Sequence, residues 1–215
     1  MKSKKLLSLL LAVVMCFITT VPAWADSRAI SSDVTAVSME SIDAMTNAQR
    51  NAFISQCAAQ ELERSSSSRD IALSPEILRL CWYAAAKIAE SKYPCAAKLV
   101  EYAARGIDYV ETEGRFSTKI RQSADYREWR TTHSEDKMEF SSGDLFYALH
   151  GVDISIVSQT SGGARVCITD TFDFKFETDL GSVILTLIND GAWLSQKIYA
   201  LSVIQVDICF IDPAL

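Results

Sequence analysis

Apolar residues in the first half of the chain recur at spacings of three and four, which is the period of a helix with one buried face. The pattern predicts three helices, from Asn47 to about Glu63, from Pro75 to Ser91 and from Cys95 to about Glu111. The side chains expected to face inward are Phe53, Ile54, Cys57, Ile77, Cys81, Ala84, Ile88, Leu99, Val100, Ala103, Ile107 and Val110.

Start and stop signals support these helices. Thr46 and Gln49 match a capping box, and Ser74 places a hydroxyl cap directly before the proline that opens the second helix. The serine run at 65–68 indicates a flexible link. Residues 115–138 mix both charges and predict one or two short helices; they are interpreted as a solvated face, with a cationic rim for an anionic ligand as the alternative.

The pattern changes to alternation after a helical turn at 144–151. Val152, Ile154 and Ile156 alternate with polar residues, and the glycine-containing run 159–163 is typical of a hairpin. The return strand is expected from Ala164 to about Glu177. Its apolar face is expected to carry Val166, Ile168, Asp170, Phe172, Phe174 and Phe176.

A wide apolar stripe then predicts a helix at 181–200, and alternation from Ser202 to Ile211 predicts a final strand. Helices followed by hairpin, helix and strand indicate an α+β fold. We expect a small, mostly antiparallel sheet of three or four strands that carries helices on one face.

The N-terminus has the pattern of a secretory signal, with basic Lys2, Lys4 and Lys5 before an apolar run. Small residues precede the expected cleavage site, which follows Ala25. Residues 1–25 are therefore interpreted as a signal peptide and 26–45 as a flexible leader. Residues 46–215 are expected to form a single α+β domain, helical over 46–138 and β-rich over 139–215.

Cleavage would remove three lysines and no acid, which takes the formal net charge from −6 to −9. So acidic a chain is a poor electrostatic match for nucleic acid. No stable membrane anchor is expected after cleavage, and secretion is predicted, with retention at the cell envelope left open.

Five cysteines follow the signal, and this odd number leaves at least one thiol outside any intramolecular pairing. Most are expected to be small buried apolar residues. Cys81 and Cys95 flank one helical turn, so they could meet. Cys167 and Cys209 both fall on the less apolar face of their strands and could bond if the strands are neighbours; the pairing stays open.

Familiar catalytic signatures are mostly absent, and the two histidines are too few for a His-rich zinc site, so no metal or cofactor is expected. The one constellation that suggests chemistry is Asp170, Asp173 and His150. A carboxylate beside an imidazole can orient a general base. The alternative is structural: His150 ends a helix, Asp170 accepts backbone hydrogen bonds and Asp173 is solvated.

The run from Asp170 to Asp173 resembles the D-x-Y-D motif in the β-rich catalytic region of colicin M-type bacteriocins, which cleave a lipid-linked cell-wall precursor. The resemblance covers residues 140–177, with Phe172 at the position of the family's tyrosine. The family's following His-Arg pair has no counterpart in 174–179. The resemblance implies a related sheet topology and a hydrolytic role for the two aspartates.

Together these features favour a secreted bacterial globular protein with a non-catalytic binding role toward an extracellular protein or an envelope component. The alternative is a secreted hydrolase or toxin-like effector that acts on cell-envelope material through Asp170 and Asp173. Whether the chain is an enzyme is left undecided at this level.

Overall fold

The computed structural model describes residues 36–67, 74–132, 136–174 and 191–215, with side chains described for all of these except 61–67. The predicted signal, the leader up to residue 35 and the segment 175–190 lie outside this range. The chain divides into two compact units. The helical unit takes Met1–Ala89 and Asp173–Ser202, and the sheet unit takes Glu90–Phe172 and Val203–Leu215. A single domain over 46–215 stays a prediction.

Helices α1 (Met39–Ala44), α2 (Asn47–Ser67) and α3 (Pro75–Ala89) belong to the helical unit, together with a helical segment at 191–197 (α8). The predicted caps are present. Thr46 and Gln49 exchange backbone-to-side-chain hydrogen bonds, and the Ser74 hydroxyl accepts from the Ile77 amide at 3.3 Å.

Two predictions in the helical unit need correction. The serine run is not a link from its first residue, because α2 continues to Ser67. The predicted leader contains α1, whose Ile42 is fully buried. This short helix is held by a reciprocal Ser38–Ser41 capping box, and Asp43 beside its end accepts from the Tyr83 hydroxyl at 2.8 Å.

The sheet unit begins with α4 (Pro94–Arg105) and β1 (Tyr109–Thr112), followed by α5 (Arg115–Gln122), α6 (Ala124–Thr132) and β2 (Lys137–Glu139). Then come α7 (Gly143–Leu149), β3 (Gly151–Thr160), β4 (Gly163–Phe172) and β5 (Ile204–Asp212). The strand order is β1-β5-β4-β3-β2. Among the described residues the sheet has five strands rather than three or four, and only its β1–β5 pairing is parallel. The α+β class is confirmed.

The predicted third helix is too long. It stops at Arg105 because Gly106 takes a left-handed conformation, with φ 69°, and ends the helix. Residues 109–112 form β1 instead. Ile107, which precedes the strand, and Val110 within it are 53% and 70% exposed rather than facing inward. Tyr109 is the buried member of this stretch.

The alternation in β4 and β5 is confirmed. Val166 and Ile168 are fully buried, as is Ile208, which pairs with Ile168 across the strands. The strand is shorter than predicted, since it ends at Phe172 and leaves Phe174 half-buried outside it. Phe176 lies beyond the described residues.

Strand β3 departs from its predicted pattern near the hairpin. Val152 and Ile154 are buried, but Ile156 is 39% exposed. The register shifts between Ile156 and Ser158, and such a bulge redirects the side chains that follow it.

The sheet has a covered face and an open face. Helices α5 and α6 pack on the covered face, where Phe210 meets the ring of Tyr126 at 5.5 Å and the guanidinium of Arg121 at 5.4 Å. The open face is defined by exposed side chains on neighbouring strands. Residues that lie directly opposite each other across two strands point to the same face of the sheet, and the strand pairings place these side chains together. They are Val110, Thr112, Asp153, Ser155, Arg165, Thr169, Thr171, Gln205 and Asp207.

Within the part of the chain that the structure describes, every helix is too short or too polar to cross a membrane.

Candidate functional site

Asp170 lies near the end of β4, opposite Val206 of β5, and is half-buried. It is the acidic member of a face that otherwise carries buried apolar side chains, as the alternation predicted. One carboxylate oxygen accepts from the backbone amide of Thr171 at 2.7 Å. This bond ties the side chain to its own strand and shields part of its charge.

His150 ends α7 in a conformation with φ 34°, which is strained for a residue other than glycine. Its amide donates to the Phe146 carbonyl and its carbonyl accepts from the Phe140 amide at 2.7 Å. Its exposed imidazole stands edge-on to the Phe146 ring, with centroids 4.8 Å apart. Among the described residues, this imidazole makes no hydrogen bond to Asp170.

Asp173 is exposed and belongs to the helical unit, whereas Asp170 and His150 belong to the sheet unit. The three residues as a catalytic group therefore stay a prediction. Two features agree with the structural alternative: Asp170 accepts a backbone hydrogen bond within its strand, and His150 ends a helix.

Three other carboxylates of the sheet unit each accept several hydrogen bonds, and the sequence did not single them out. Glu111 on β1 accepts from the Tyr109 hydroxyl at 2.7 Å, the Phe116 amide at 3.2 Å and both the amide and the hydroxyl of Ser117. Burial opposes ionisation, but these hydrogen bonds outweigh it and lower the pKa of Glu111. The ionised carboxylate caps the start of α5.

Asp144 on α7 plays the same part for α4. It accepts from the amides of Cys95 at 2.9 Å and Ala96 at 3.0 Å, and it pairs with the Lys119 ammonium at 2.9 Å. Burial would raise the pKa of Asp144, but the two amides and Lys119 lower it overall. One carboxylate therefore connects three helices, α4, α5 and α7.

Asp212 at the end of β5 is 1% exposed. It accepts from the Tyr126 hydroxyl at 2.7 Å and the Ala214 amide at 2.9 Å, and Arg130 lies 3.5 Å away. Against the opposing effect of burial, these contacts lower the pKa of Asp212. Burial and this carboxylate in turn raise the pKa of Tyr126. Such a satisfied, ionised carboxylate anchors structure and is a poor proton donor.

The sequence gives little warning of these three roles. Glu111 falls within a stretch predicted as helix, and Asp144 reaches amides far away in the chain. The one available signal is Gly114. A side chain at this position would collide with the Glu111 carboxyl group. The glycine therefore leaves the space in which the Glu111 carboxylate lies against the backbone.

The open face carries the disulfide between Cys167 and Cys209, which pair directly across β4 and β5 with their Cα atoms 4.2 Å apart. This is the bond that the strand pattern allowed. Asp207 lies beside it, and these three side chains form the one group of metal-type ligands found among the described residues. The two sulfurs are bonded to each other, so neither offers the thiolate that a metal requires.

The surface around the disulfide is rich in groups that form directional hydrogen bonds. Thr169 lies opposite Asp207, and Thr171 lies opposite Gln205 and donates to its side-chain oxygen at 3.2 Å. Val110 adds an apolar side chain on the neighbouring strand. This arrangement can bind a partner through hydroxyl and amide groups.

No family model, no curated protein and no solved structure matches this chain.

Proposed function

We propose that the chain is an exported, non-catalytic binding protein whose binding surface is the open face of the sheet. The observation that carries the proposal is the chemistry of this face. Nine exposed side chains from four strands surround a disulfide, and hydroxyl and amide groups predominate at its centre.

The disulfide supports the export part of the proposal. Disulfides persist in oxidising compartments and are rare where glutathione and thioredoxin keep thiols reduced. Cys167 is only half-buried, so a reductant could reach it. Export is also what the basic and apolar N-terminal pattern predicts.

The preferred partner is an extracellular protein or a component of the cell envelope. The formal net charge of −6 disfavours nucleic acid and anionic lipid surfaces. The open face carries both Arg165 and Asp207, so it has no single sign of charge. A surface of this kind suits a partner that offers matched hydrogen bonds.

Thr169→Arg tests the proposal, because it places a long charged side chain at the centre of the face without disturbing the buried side of β4. The matched control is Thr131→Arg, an identical exchange at an exposed position of α6. Binding of labelled protein to isolated bacterial cell envelopes is measured by sedimentation. We expect a loss of at least about tenfold for Thr169→Arg, roughly 1.4 kcal/mol, and none for the control. Equal binding by both variants and the wild type would contradict the proposed surface.

The hydrolase alternative has one observation in its favour, the half-buried position of Asp170 on an otherwise apolar face. Asp170→Asn and Asp173→Asn separate the two functions. A binding protein keeps its affinity for envelopes in both variants. A hydrolase would release soluble fragments from envelope material, and both variants would lose that release.

A further inference from the structure

Three side chains that can ligate a metal converge on the open face of the sheet. Cys167 on β4 is bonded to Cys209, directly opposite it on β5, and Asp207 lies two residues before Cys209 on the same side of that strand. The two sulfur atoms and one carboxylate oxygen all lie within 4.8 Å of one another. Asp207 Oδ1 is 3.4 Å from Cys209 Sγ, and this contact is not a hydrogen bond, because a disulfide sulfur carries no proton.

We propose that reduction of the Cys167–Cys209 disulfide turns this cluster into a zinc site, so that the oxidation state of the pair controls metal binding. Two thiolates and the Asp207 carboxylate supply three of the four ligands of a tetrahedral Zn²⁺ ion, and water supplies the fourth. Zinc fits this mixed donor set because it accepts both sulfur and oxygen. Cu(I) favours soft sulfur ligands, and Mg²⁺ and Ca²⁺ favour oxygen.

The reduction step needs an electron donor, which we identify by class as a dithiol. Two electrons break the S–S bond and two protons convert its sulfurs to thiols, while the dithiol becomes a disulfide. Cys167 is half-buried rather than enclosed, so a reductant can reach one sulfur of the bond. Zinc binding then displaces the two thiol protons into solvent, because the thiolate is the form that ligates a metal.

The sheet holds the three ligands together after the bond is broken. Strands β4 and β5 are paired over residues 164–172 and 204–212, so the backbone ladder keeps the two cysteines opposite each other. Sulfur ligands of a tetrahedral zinc ion lie about 3.8 Å apart. The Cα atoms of Cys167 and Cys209 are 4.2 Å apart, so rotation of the side chains can give the sulfurs this separation without movement of the strands. Asp207 is exposed, which leaves a path for the ion to enter.

Zinc binding to the chain from Asp26 onward is measured by competition with a chromophoric chelator, for the oxidised protein and for protein reduced with a phosphine. The phosphine takes oxygen from water and leaves no thiol to compete for zinc. Cys57, Cys81 and Cys95 are free in the structure, so zinc bound by these thiols appears in both samples. We expect the reduced protein to bind one equivalent of zinc at least about a hundredfold more tightly than the oxidised protein, because it gains two ligands.

Variants assign the ligands in the reduced protein. Asp207→Ala should weaken zinc binding at least about tenfold, since the loss of an outer-shell contact alone costs that much. Asp153→Ala is the matched control and should bind as the wild type does. Asp153 lies on the same face, opposite Thr169, which is opposite Asp207, so it is two strands or about 10 Å away. Replacement of both Cys167 and Cys209 by alanine should abolish the binding that depends on reduction.

Co²⁺ in place of zinc gives an independent readout, because thiolate ligation produces a charge-transfer absorption in the near ultraviolet. We expect this absorption to appear on reduction of the wild type and not of the double cysteine variant. Circular dichroism of the reduced protein reports whether the sheet is retained.

Equal zinc affinity of the oxidised and reduced proteins, unchanged affinity in Asp207→Ala, or loss of the sheet on reduction would each overturn the proposal. Binding that still depends on reduction in the double cysteine variant would assign the metal to other thiols and overturn it as well. The assay uses zinc alone and no envelope material, so its failure is distinct from failure of the proposed binding function.

Discussion

Tyr126 donates a hydrogen bond of 2.7 Å to Asp212, and this contact joins α6 to the end of strand β5. Both residues are almost completely buried. The Tyr126 hydroxyl is therefore shielded from water in the folded state. Asp212 depends on this hydroxyl for one of its hydrogen bonds.

Removing that hydroxyl should destabilise the sheet unit. In Tyr126→Phe the ring still packs on Phe210, but a buried carboxylate loses one donor, so we expect a loss of about 1–3 kcal/mol in the free energy of unfolding. Urea unfolding measures it. Tyr147→Phe is the matched control, since Tyr147 is 40% exposed and should change stability little. Equal stability of both variants would contradict a structural role for the contact.

Asp144→Asn should weaken the junction of α4, α5 and α7 in a pH-dependent manner. The pKa of Asp144 is lowered in the folded state, so its ionised form contributes stability above the ordinary value of 3.8, and this contribution disappears as the pH falls through the lowered pKa. We expect the variant to be less stable than the wild type at pH 7, by about 1–3 kcal/mol, and the difference to shrink below pH 3.8.

Unfolding by urea at a series of pH values gives this difference directly. Asp153→Asn serves as the control, because Asp153 pairs with Lys137 at the exposed edge of the sheet, where ion pairs contribute little. A pH-independent difference for Asp144→Asn would show that the carboxylate charge is not what stabilises the junction.

Gly114→Ala should act through Glu111 rather than through the backbone. The φ of Gly114 is −126°, which alanine adopts readily, but the new methyl group would occupy the position of the Glu111 carboxyl group. We expect a loss of about 1–3 kcal/mol as the carboxylate leaves its donors. The free energies of unfolding of Gly114→Ala, Glu111→Ala and the double variant, each compared with that of the wild type, give the coupling energy between the two positions.

In a protein that already carries Glu111→Ala, Gly114→Ala should lower the free energy of unfolding by almost nothing further. Gly151→Ala is a control, since the nearest atom to its new methyl group would be Glu139 Cγ at 3.8 Å. Additive losses from Gly114→Ala and Glu111→Ala would mean that the two positions act independently.

Loss of the disulfide on the open face should lower stability without unfolding the sheet. The bond joins residues 42 positions apart, and cross-links over loops of that length contribute about 4 kcal/mol in the chain-entropy model. Replacement of Cys167 and Cys209 by alanine should therefore reduce the urea midpoint substantially. Alanine at Thr169 and Asp207, the adjacent opposed pair, removes side chains without a cross-link and should have a much smaller effect. Equal midpoints for the two double variants would contradict this role.

The alternation of apolar residues predicted the hairpin and the final strand because each has one buried face. Val166 and Ile168 occupy the positions that this pattern assigns. The order of the strands could not be predicted from the sequence, because the parallel pairing of β1 with β5 joins two segments that are far apart in the chain and that no local pattern relates. Strand β1 itself was missed because Ile107 and Val110 continue the helical spacing of α4. Gly106 was the available stop signal.

The candidate site was predictable to a smaller extent. Asp170 does lie on the face that alternation gave it, but its hydrogen bond to the next residue is a local detail that spacing does not encode. The capping acids Asp144 and Glu111 act across tertiary contacts, so their residue type alone gave no indication. The sequence showed that Cys167 and Cys209 both lie on the less apolar side of their strands, so a bond between them could be considered. It did not show that the two strands are neighbours.

The position of β5 between β1 and β4 has a consequence for biosynthesis. Tyr109 of β1 pairs with Val206, and Ile168 of β4 pairs with Ile208, so the sheet has no continuous path across its centre until residues 204–212 have left the ribosome. Topologies with such distant partners fold slowly. During translation, therefore, β1 and β4 lack the strand that joins them until β5 has been synthesised.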